Sequence, residues 1–213
     1  MKLLRLLLLM CLSVSLLAVA QEKTAKKPAD KKPADASMQM PKPSPEIQKL
    51  AKTLAGNYST TETHDPNPMM PKGGTGKGQA RFTVGPGGHY VVESYNSKSD
   101  MGSFTGHGVF WWDPKVSAYR VVWCDSMSPT CDTEGTMKWE GDKLVASGEY
   151  EMGGKKVAYR ETIGNLTPNG FTFDMESAMG GSMQHVMKID YTRATSASAG
   201  KTNTEKPAAQ KQQ

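Results

Sequence analysis

From residue 57 to residue 193 the chain consists of short runs in which apolar and polar positions alternate. The runs are rich in Val, Thr, Tyr, Phe and Trp, and each ends at Gly, Pro, Asn or Asp, a pattern typical of β-strands joined by tight turns. The predicted strands are 57–63, 77–84, 89–96, 104–112, 118–125, 132–139, 143–151, 155–165, 170–176 and 183–193. A meander of roughly ten strands must curl or close to hide its edges. The pattern therefore predicts an all-β fold, an antiparallel meander that closes into a barrel.

Residues 44–56 predict one short helix in front of the first strand. Ser44 is a favourable N-cap residue, Pro45 suits the first helical position, and Gly56 ends the helix. The apolar residues between them recur at helical spacing: Ile47, Leu50, Ala51 and Leu54. Because such an apolar stripe must be buried, we expect the helix to cover one end of the barrel.

Residues 1–20 have the three parts of a secretory signal peptide. Lys2 and Arg5 are followed by an apolar run, and the sequence Ala18-Val19-Ala20 resembles a signal peptidase site. The run is shorter than the roughly 20 apolar residues of a membrane-spanning helix, and no later segment of the sequence is long and apolar enough to be one. We therefore expect cleavage after Ala20, no transmembrane segment after cleavage, and a protein that is periplasmic or secreted.

The positive charge of the chain, +5 overall, is concentrated outside the predicted barrel domain, residues 44–193. Residues 21–43 repeat the pentapeptide Lys-Lys-Pro-Ala-Asp and residues 194–213 are rich in Ala, Ser, Thr and Lys, so a disordered linker and a disordered tail are predicted. Residues 46–193 carry 15 basic and 17 acidic side chains, a net charge of −2, which argues against nucleic acid as a partner. The linker lysines have two open roles, weak contact with an anionic envelope surface or a solubilising spacer.

Two cysteines, Cys124 and Cys131, remain once the signal peptide is removed, and six residues separate them. In an exported chain an even pair at short spacing favours a disulfide over a metal site or a nucleophile. Residues 125–130, with Pro129 among them, form a turn between two predicted strands. Antiparallel neighbours that flank a turn lie within disulfide distance, so a bond across this hairpin is expected.

The run from Tyr119 to Met127 contains a Tyr, a Trp and the sequence Asp-Ser-Met. Together with residues 54–58, 89–95, 106–113 and 187–193 it resembles successive blocks of the bacterial family known as domain of unknown function 1579. The resemblance covers roughly residues 46–193. It implies a lipocalin-like barrel, distantly similar to the haem-carrying nitrobindins, that can hold a ligand, and it implies no established activity. Tyr58 stands where many members have Trp, and the cysteine pair is peculiar to this chain.

The polar residues among the aromatic ones are the candidate ligand-binding residues. On the strand 118–125, alternation places Trp123 and Asp125 on one face. If this face is interior, a pocket with an aromatic wall and charged contacts for a small, partly apolar molecule results, with Glu93, Glu134 and Arg160 supplied by other strands. The alternative is a filled interior in which Arg160 neutralises a buried carboxylate.

Other functions have less support in the sequence. A hydrolase using Asp125 and Glu134 as acid and base lacks a nucleophile–base pair, so an enzyme is not favoured. An envelope-associated structural protein held by its basic linker is a further alternative. The four histidines have no metal-binding spacing, so no metal site is predicted. The resemblance to nitrobindins raises His185 as a haem ligand, but their glycine-tyrosine-proline motif is absent, so no cofactor is predicted.

Overall fold

A computed structural model describes residues 40–67 and 70–195, which form one α-helix and ten β-strands. The predicted signal peptide, most of the predicted linker and nearly all of the predicted tail lie outside the described residues. The elements are α1 (Pro45–Leu54), β1 (Gly56–His64), β2 (Gly74–Val84), β3 (Tyr90–Ser99), β4 (Gly102–Asp113), β5 (Ala118–Asp125), β6 (Asp132–Glu140), β7 (Lys143–Met152), β8 (Lys155–Thr167), β9 (Gly170–Ser177) and β10 (Gln184–Arg193). No helix in 40–67 or 70–195 has the length and apolar character needed to cross a membrane.

Each strand pairs antiparallel with its neighbours in the sequence, and the two outer strands of the meander pair with each other. The closing pair runs from Tyr58 opposite Arg193 to His64 opposite Met187. Closure hides the edges that an open meander would expose. The predicted fold, a ten-stranded antiparallel barrel behind one short helix, is confirmed.

Helix α1 closes one end of the barrel, called here the closed end. The Ser44 hydroxyl accepts a hydrogen bond from the Ile47 backbone N–H at 3.2 Å, as expected of an N-cap. Leu50 is fully buried and Leu54 is 1% exposed, so the apolar stripe of the helix lies against the barrel. The Tyr119 hydroxyl donates to the Glu46 carbonyl at 2.9 Å and ties the helix to β5.

An aromatic core fills the barrel next to the helix. The rings of Phe171 and Tyr191 stack at 4.3 Å, and Tyr58 meets Phe171 edge to face at 5.1 Å. Arg193 lies over the Tyr58 ring and donates to the Tyr58 hydroxyl at 2.7 Å. The core therefore occupies the closed end, and the interior toward the opposite end, called here the mouth, is left for other side chains.

The predicted disulfide is present between Cys124 and Cys131, whose Cα atoms lie 4.3 Å apart. It joins the end of β5 to the segment just before β6, across the hairpin that the sequence predicts. The bond therefore fixes one of the turns at the mouth.

Strands β6 and β7 separate toward the mouth. Their pairing extends only from Met137 opposite Ala146 to Glu140 opposite Lys143. From Asp132 to Thr136 the strand β6 is paired only on its other edge, with β5, through a register shift of the kind a β-bulge produces. The barrel wall is consequently split on this side, next to the disulfide.

Candidate functional site

A cavity of about 440 Å³ occupies the barrel between the aromatic core and the mouth. Gly135 and Ala146 face the cavity from β6 and β7. Because these residues are small, the space in front of them stays unfilled. Most of its wall is apolar; this part includes Phe82, Phe110, Met137, Ile163, Phe173 and Ile189. Its volume lies within the range of small-molecule pockets, roughly 300–1,000 Å³.

Glu93, a predicted site residue, lines this cavity from β3 and is only 6% exposed. The Tyr191 hydroxyl donates to its Oε1 atom at 3.4 Å. Burial raises the pKa of Glu93 to about 8; the Tyr191 hydrogen bond opposes this rise and the charge of Glu161 adds to it. The carboxyl group is therefore largely protonated at neutral pH.

Glu161 is a second interior carboxyl group, on β8, and it is not among the site residues predicted from the sequence. Burial raises its pKa to about 7, and the charge of Asp132 adds to the rise. Among the described residues no hydrogen-bond donor is assigned to its carboxylate. Two acids with raised pKa values, Glu93 and Glu161, thus interact inside one cavity.

Glu62 differs from both because its carboxylate is already satisfied. The Tyr95 hydroxyl donates to Oε1, and His64 Nε2 lies 3.3 Å from Oε2. Burial acts to raise the pKa of Glu62, but hydrogen bonds from His64, Ser97 and Tyr95 outweigh it, so the pKa lies below its usual value. Burial, with the hydrogen bond to Glu62, raises the pKa of the Tyr95 hydroxyl, which is therefore neutral and able to donate.

Trp123 and Asp125, both predicted site residues, line the cavity near the mouth. The indole lies against Gly106 and Gly108 of β4, and a Cβ atom on Gly106 would collide with the ring. Trp123 Nε1 donates to Asp125 Oδ2 at 2.9 Å. The other oxygen, Oδ1, accepts the backbone N–H groups of Met127 and Ser128, at 2.8 and 3.1 Å. Asp125 thus fixes the indole and the turn that carries the disulfide.

Arg160 does not line the cavity, so its predicted position in the pocket and the alternative, that it neutralises a buried carboxylate, are both wrong. Arg160 Nη2 lies 2.8 Å from Glu140 Oε2, a partly exposed pair outside the cavity lining. The reason is strand alternation: Tyr159, Glu161 and Ile163 face the cavity, so the residues between them face outward. Glu134 lies in β6, and its side chain is outside what the structure describes.

His185 also lies apart from the cavity lining. Its Nδ1 is 2.7 Å from Asp65 Oδ2 and its Nε2 is 3.4 Å from Asp174 Oδ1. Strict strand alternation would place His185 on the same face as Met187, but a β-bulge interrupts the alternation between these residues, and only Met187 lines the cavity. In the described part of the chain, no group of three or more His, Cys, Asp or Glu side chains has the arrangement of a metal site.

Residues 42–193 match the model of a family described as "Protein of unknown function (DUF1579)". The chain belongs to this family. The resemblance inferred from the sequence is confirmed, and its blocks fall on strands of the barrel, with the Trp and Asp-Ser-Met run on β5 and the turn after it.

Among curated proteins, none matches the sequence. Among solved structures, the barrel of this family member is similar to the S-type phycobiliprotein lyase CPES from Guillardia theta. The TM-score is 0.50 at 12% identity, over 70% of this chain and 93% of that chain. At this identity the likeness concerns the fold alone.

Proposed function

We propose that this protein is an exported binding protein that holds a small, partly apolar molecule inside its barrel. The observation that carries the proposal is the cavity of about 440 Å³, which has a mainly apolar wall and a few polar groups. Pockets for small molecules share this composition, because apolar walls supply affinity and sparse polar groups fix orientation. A barrel with a purely structural role gains nothing from such a space, since unfilled apolar volume lowers stability.

The side chains around the mouth support binding. Met101 and Met127 line the cavity and are 57% and 67% exposed, and Met183 in another turn at this end is 45% exposed. Methionine is flexible and polarizable, so it adapts to apolar surfaces of different shape. The rim can therefore adjust to a ligand that enters the mouth.

Export is supported by the disulfide and by the signal-peptide pattern of residues 1–20. Disulfides persist mainly in oxidising compartments such as the periplasm and the cell exterior. In this proposal the linker attaches the barrel loosely to an anionic envelope surface through its lysines.

Binding can be tested with N-phenyl-1-naphthylamine, an uncharged dye that fluoresces in apolar surroundings. We expect saturable binding of one dye per wild-type chain. Ala146→Phe should weaken binding at least about tenfold, because Ala146 is 3% exposed and faces the cavity, where a phenyl ring would take up space. Ala158→Phe is the matched control, since it makes the same change outside the cavity lining.

Melting curves of both variants establish that they are folded. The proposal fails if the wild-type protein shows no saturable binding. It fails equally if folded Ala146→Phe binds the dye as well as Ala158→Phe does.

A further inference from the structure

The charged side chains that line the cavity are almost all acidic. They are Glu62, Glu93, Asp125, Asp132 and Glu161, and His64 near the mouth is the one basic side chain of the described lining. No described Lys or Arg side chain lines this space. A low-dielectric space enclosed by carboxyl groups attracts a positive charge and disfavours a negative one.

The cations of the strands do not compensate these acids. Arg160 pairs with Glu140, Arg120 with Asp113 at 3.2 Å, and Lys188 with Asp190 at 2.8 Å, and none of the three cations belongs to the cavity lining. Because strand alternation places these cations on the opposite face and no described Lys or Arg lines the cavity, a counter-ion for the interior acids, once they are ionised, has to come from another molecule.

Glu93 and Glu161 have free capacity for such a counter-ion. In the described structure the single hydrogen bond assigned to Glu93 is that from Tyr191, at 3.4 Å to Oε1. No described side-chain oxygen is both fully enclosed and without a partner. The second oxygen of Glu93 is therefore open to the cavity that its side chain lines. Glu62 differs, because His64 and Tyr95 already occupy both of its oxygens.

Aromatic rings make up much of the remaining lining of the cavity. Tyr95, Phe104, Trp123, Tyr159, Phe173 and Tyr191 line the cavity. Ring faces attract ammonium groups, most strongly where water is excluded. Carboxylates and aromatic faces together suit an organic cation better than a neutral molecule of the same shape.

We propose that the ligand of this cavity is an organic cation, an apolar molecule with an ammonium group that binds between Glu93 and Glu161. This inference rests on the proposed binding function. The apolar wall receives the body of the molecule, and the two carboxyl groups select its charge.

Affinity for the cation should increase with pH. The pKa of Glu93 is about 8 and that of Glu161 about 7, so both are substantially protonated in the free protein at neutral pH. The ionised form is the one that binds a cation, and each pH unit below a pKa lowers its fraction about tenfold. The titratable groups that act on this pair are Tyr191 on β10, Asp132 on β6, and, through Tyr191, Tyr95 on β3 and Glu62 on β1.

The test compares phenyltrimethylammonium with tert-butylbenzene, an uncharged molecule of the same shape, by displacement of N-phenyl-1-naphthylamine. The permanent charge of the ammonium probe ensures that any pH dependence belongs to the protein. In the wild-type protein at about pH 8 we expect the cation to bind at least tenfold more tightly than its isostere. Lowering the pH to about 6 should weaken binding of the cation tenfold or more and leave binding of tert-butylbenzene unchanged.

The double variant Glu93→Gln, Glu161→Gln should abolish the preference for the cation. Its affinities for phenyltrimethylammonium and tert-butylbenzene should be nearly equal. Glu140→Gln is the matched control, because it removes a carboxylate that lies outside the cavity lining. Glu161→Gln alone is measured as well, so that the comparison survives if the double variant folds poorly.

Equal binding of the two probes to the wild-type protein overturns the cationic ligand and leaves the binding function intact. A preference that persists in the folded Gln variants overturns the assignment to Glu93 and Glu161. If the dye itself fails to bind the wild-type protein, the binding function falls together with this inference.

Discussion

Glu93 is buried among aromatic side chains, and this location determines how the barrel responds to pH. Its pKa of about 8 in the folded protein is higher than the ordinary 4.5. At pH values below the ordinary pKa the group is protonated in both the folded and the unfolded chain. As pH rises, the unfolded chain ionises first, so the stability associated with protonated Glu93 is progressively lost up to about pH 8. Glu161 acts in the same direction, up to about pH 7.

Glu93→Gln should therefore stabilise the protein at alkaline pH. We expect the free energy of unfolding in urea to rise by on the order of 2 kcal/mol near pH 8 and to change little near pH 5, because Gln carries no charge to desolvate. Glu140→Gln serves as control, since Glu140 is exposed and paired with Arg160. An equal loss of stability at both pH values would contradict the assignment of a protonated Glu93.

The sequence identifies some of the cavity residues and misses others for a definable reason. Trp123 and Asp125 lie on β5, where strand alternation places both on one face, and the structure brings both to the cavity with Glu93. On β8 the charged residues Arg160 and Glu161 are adjacent, so only one of them can face the interior. An error of one residue in assigning the strand face therefore exchanges the two. The signal that favours Glu161 is the more strongly apolar character of the residues two positions on either side, Tyr159 and Ile163.

The helix and strands are largely readable from the sequence because each depends on local signals. Ser44 and Pro45 begin α1 where the sequence predicts it, and the turns between strands contain the expected Gly, Pro, Asn and Asp residues. The separation of β6 from β7 and the bulge after His185 are not readable. A bulge adds one residue to a strand without a characteristic composition, and pairing between strands is decided by contacts distant in sequence.

The disulfide holds the start of β6 to β5 at the point where β6 has lost β7 as a partner. We expect the double variant Cys124→Ala, Cys131→Ala to lower the free energy of unfolding by about 2 kcal/mol, since closing a short loop removes little entropy from the unfolded chain. Dithiothreitol should lower the stability of the wild-type protein similarly and leave the variant unchanged. Two free thiols in the non-reduced exported protein, detected by alkylation and mass spectrometry, would contradict the bond.

Export concerns the whole chain and has a direct measurement. Intact mass of the protein recovered from the periplasm or the medium should correspond to a chain that begins at Gln21, because the Ala18-Val19-Ala20 site precedes it. Ala20→Pro should block cleavage and leave the precursor, whereas a conservative change in the tail should not. A mature protein that retains Met1, or that stays in the cytoplasm, would contradict the proposed localisation.

The number of strands in the barrel is even, and this parity has a consequence for anything attached to it. Ten antiparallel strands return the backbone to the pole from which it set out, so β1 begins and β10 ends side by side, with the Ala194 N–H donating to the Asn57 carbonyl at 2.8 Å. The same pole is capped by α1. Anything joined to the barrel before Pro45 or after Arg193 is therefore attached at the pole opposite the mouth. This holds for a fusion partner, a surface anchor or an immobilised tag, and in each case the mouth stays open for a ligand to enter and leave. In a barrel with an odd count, one of the two ends would lie beside the opening.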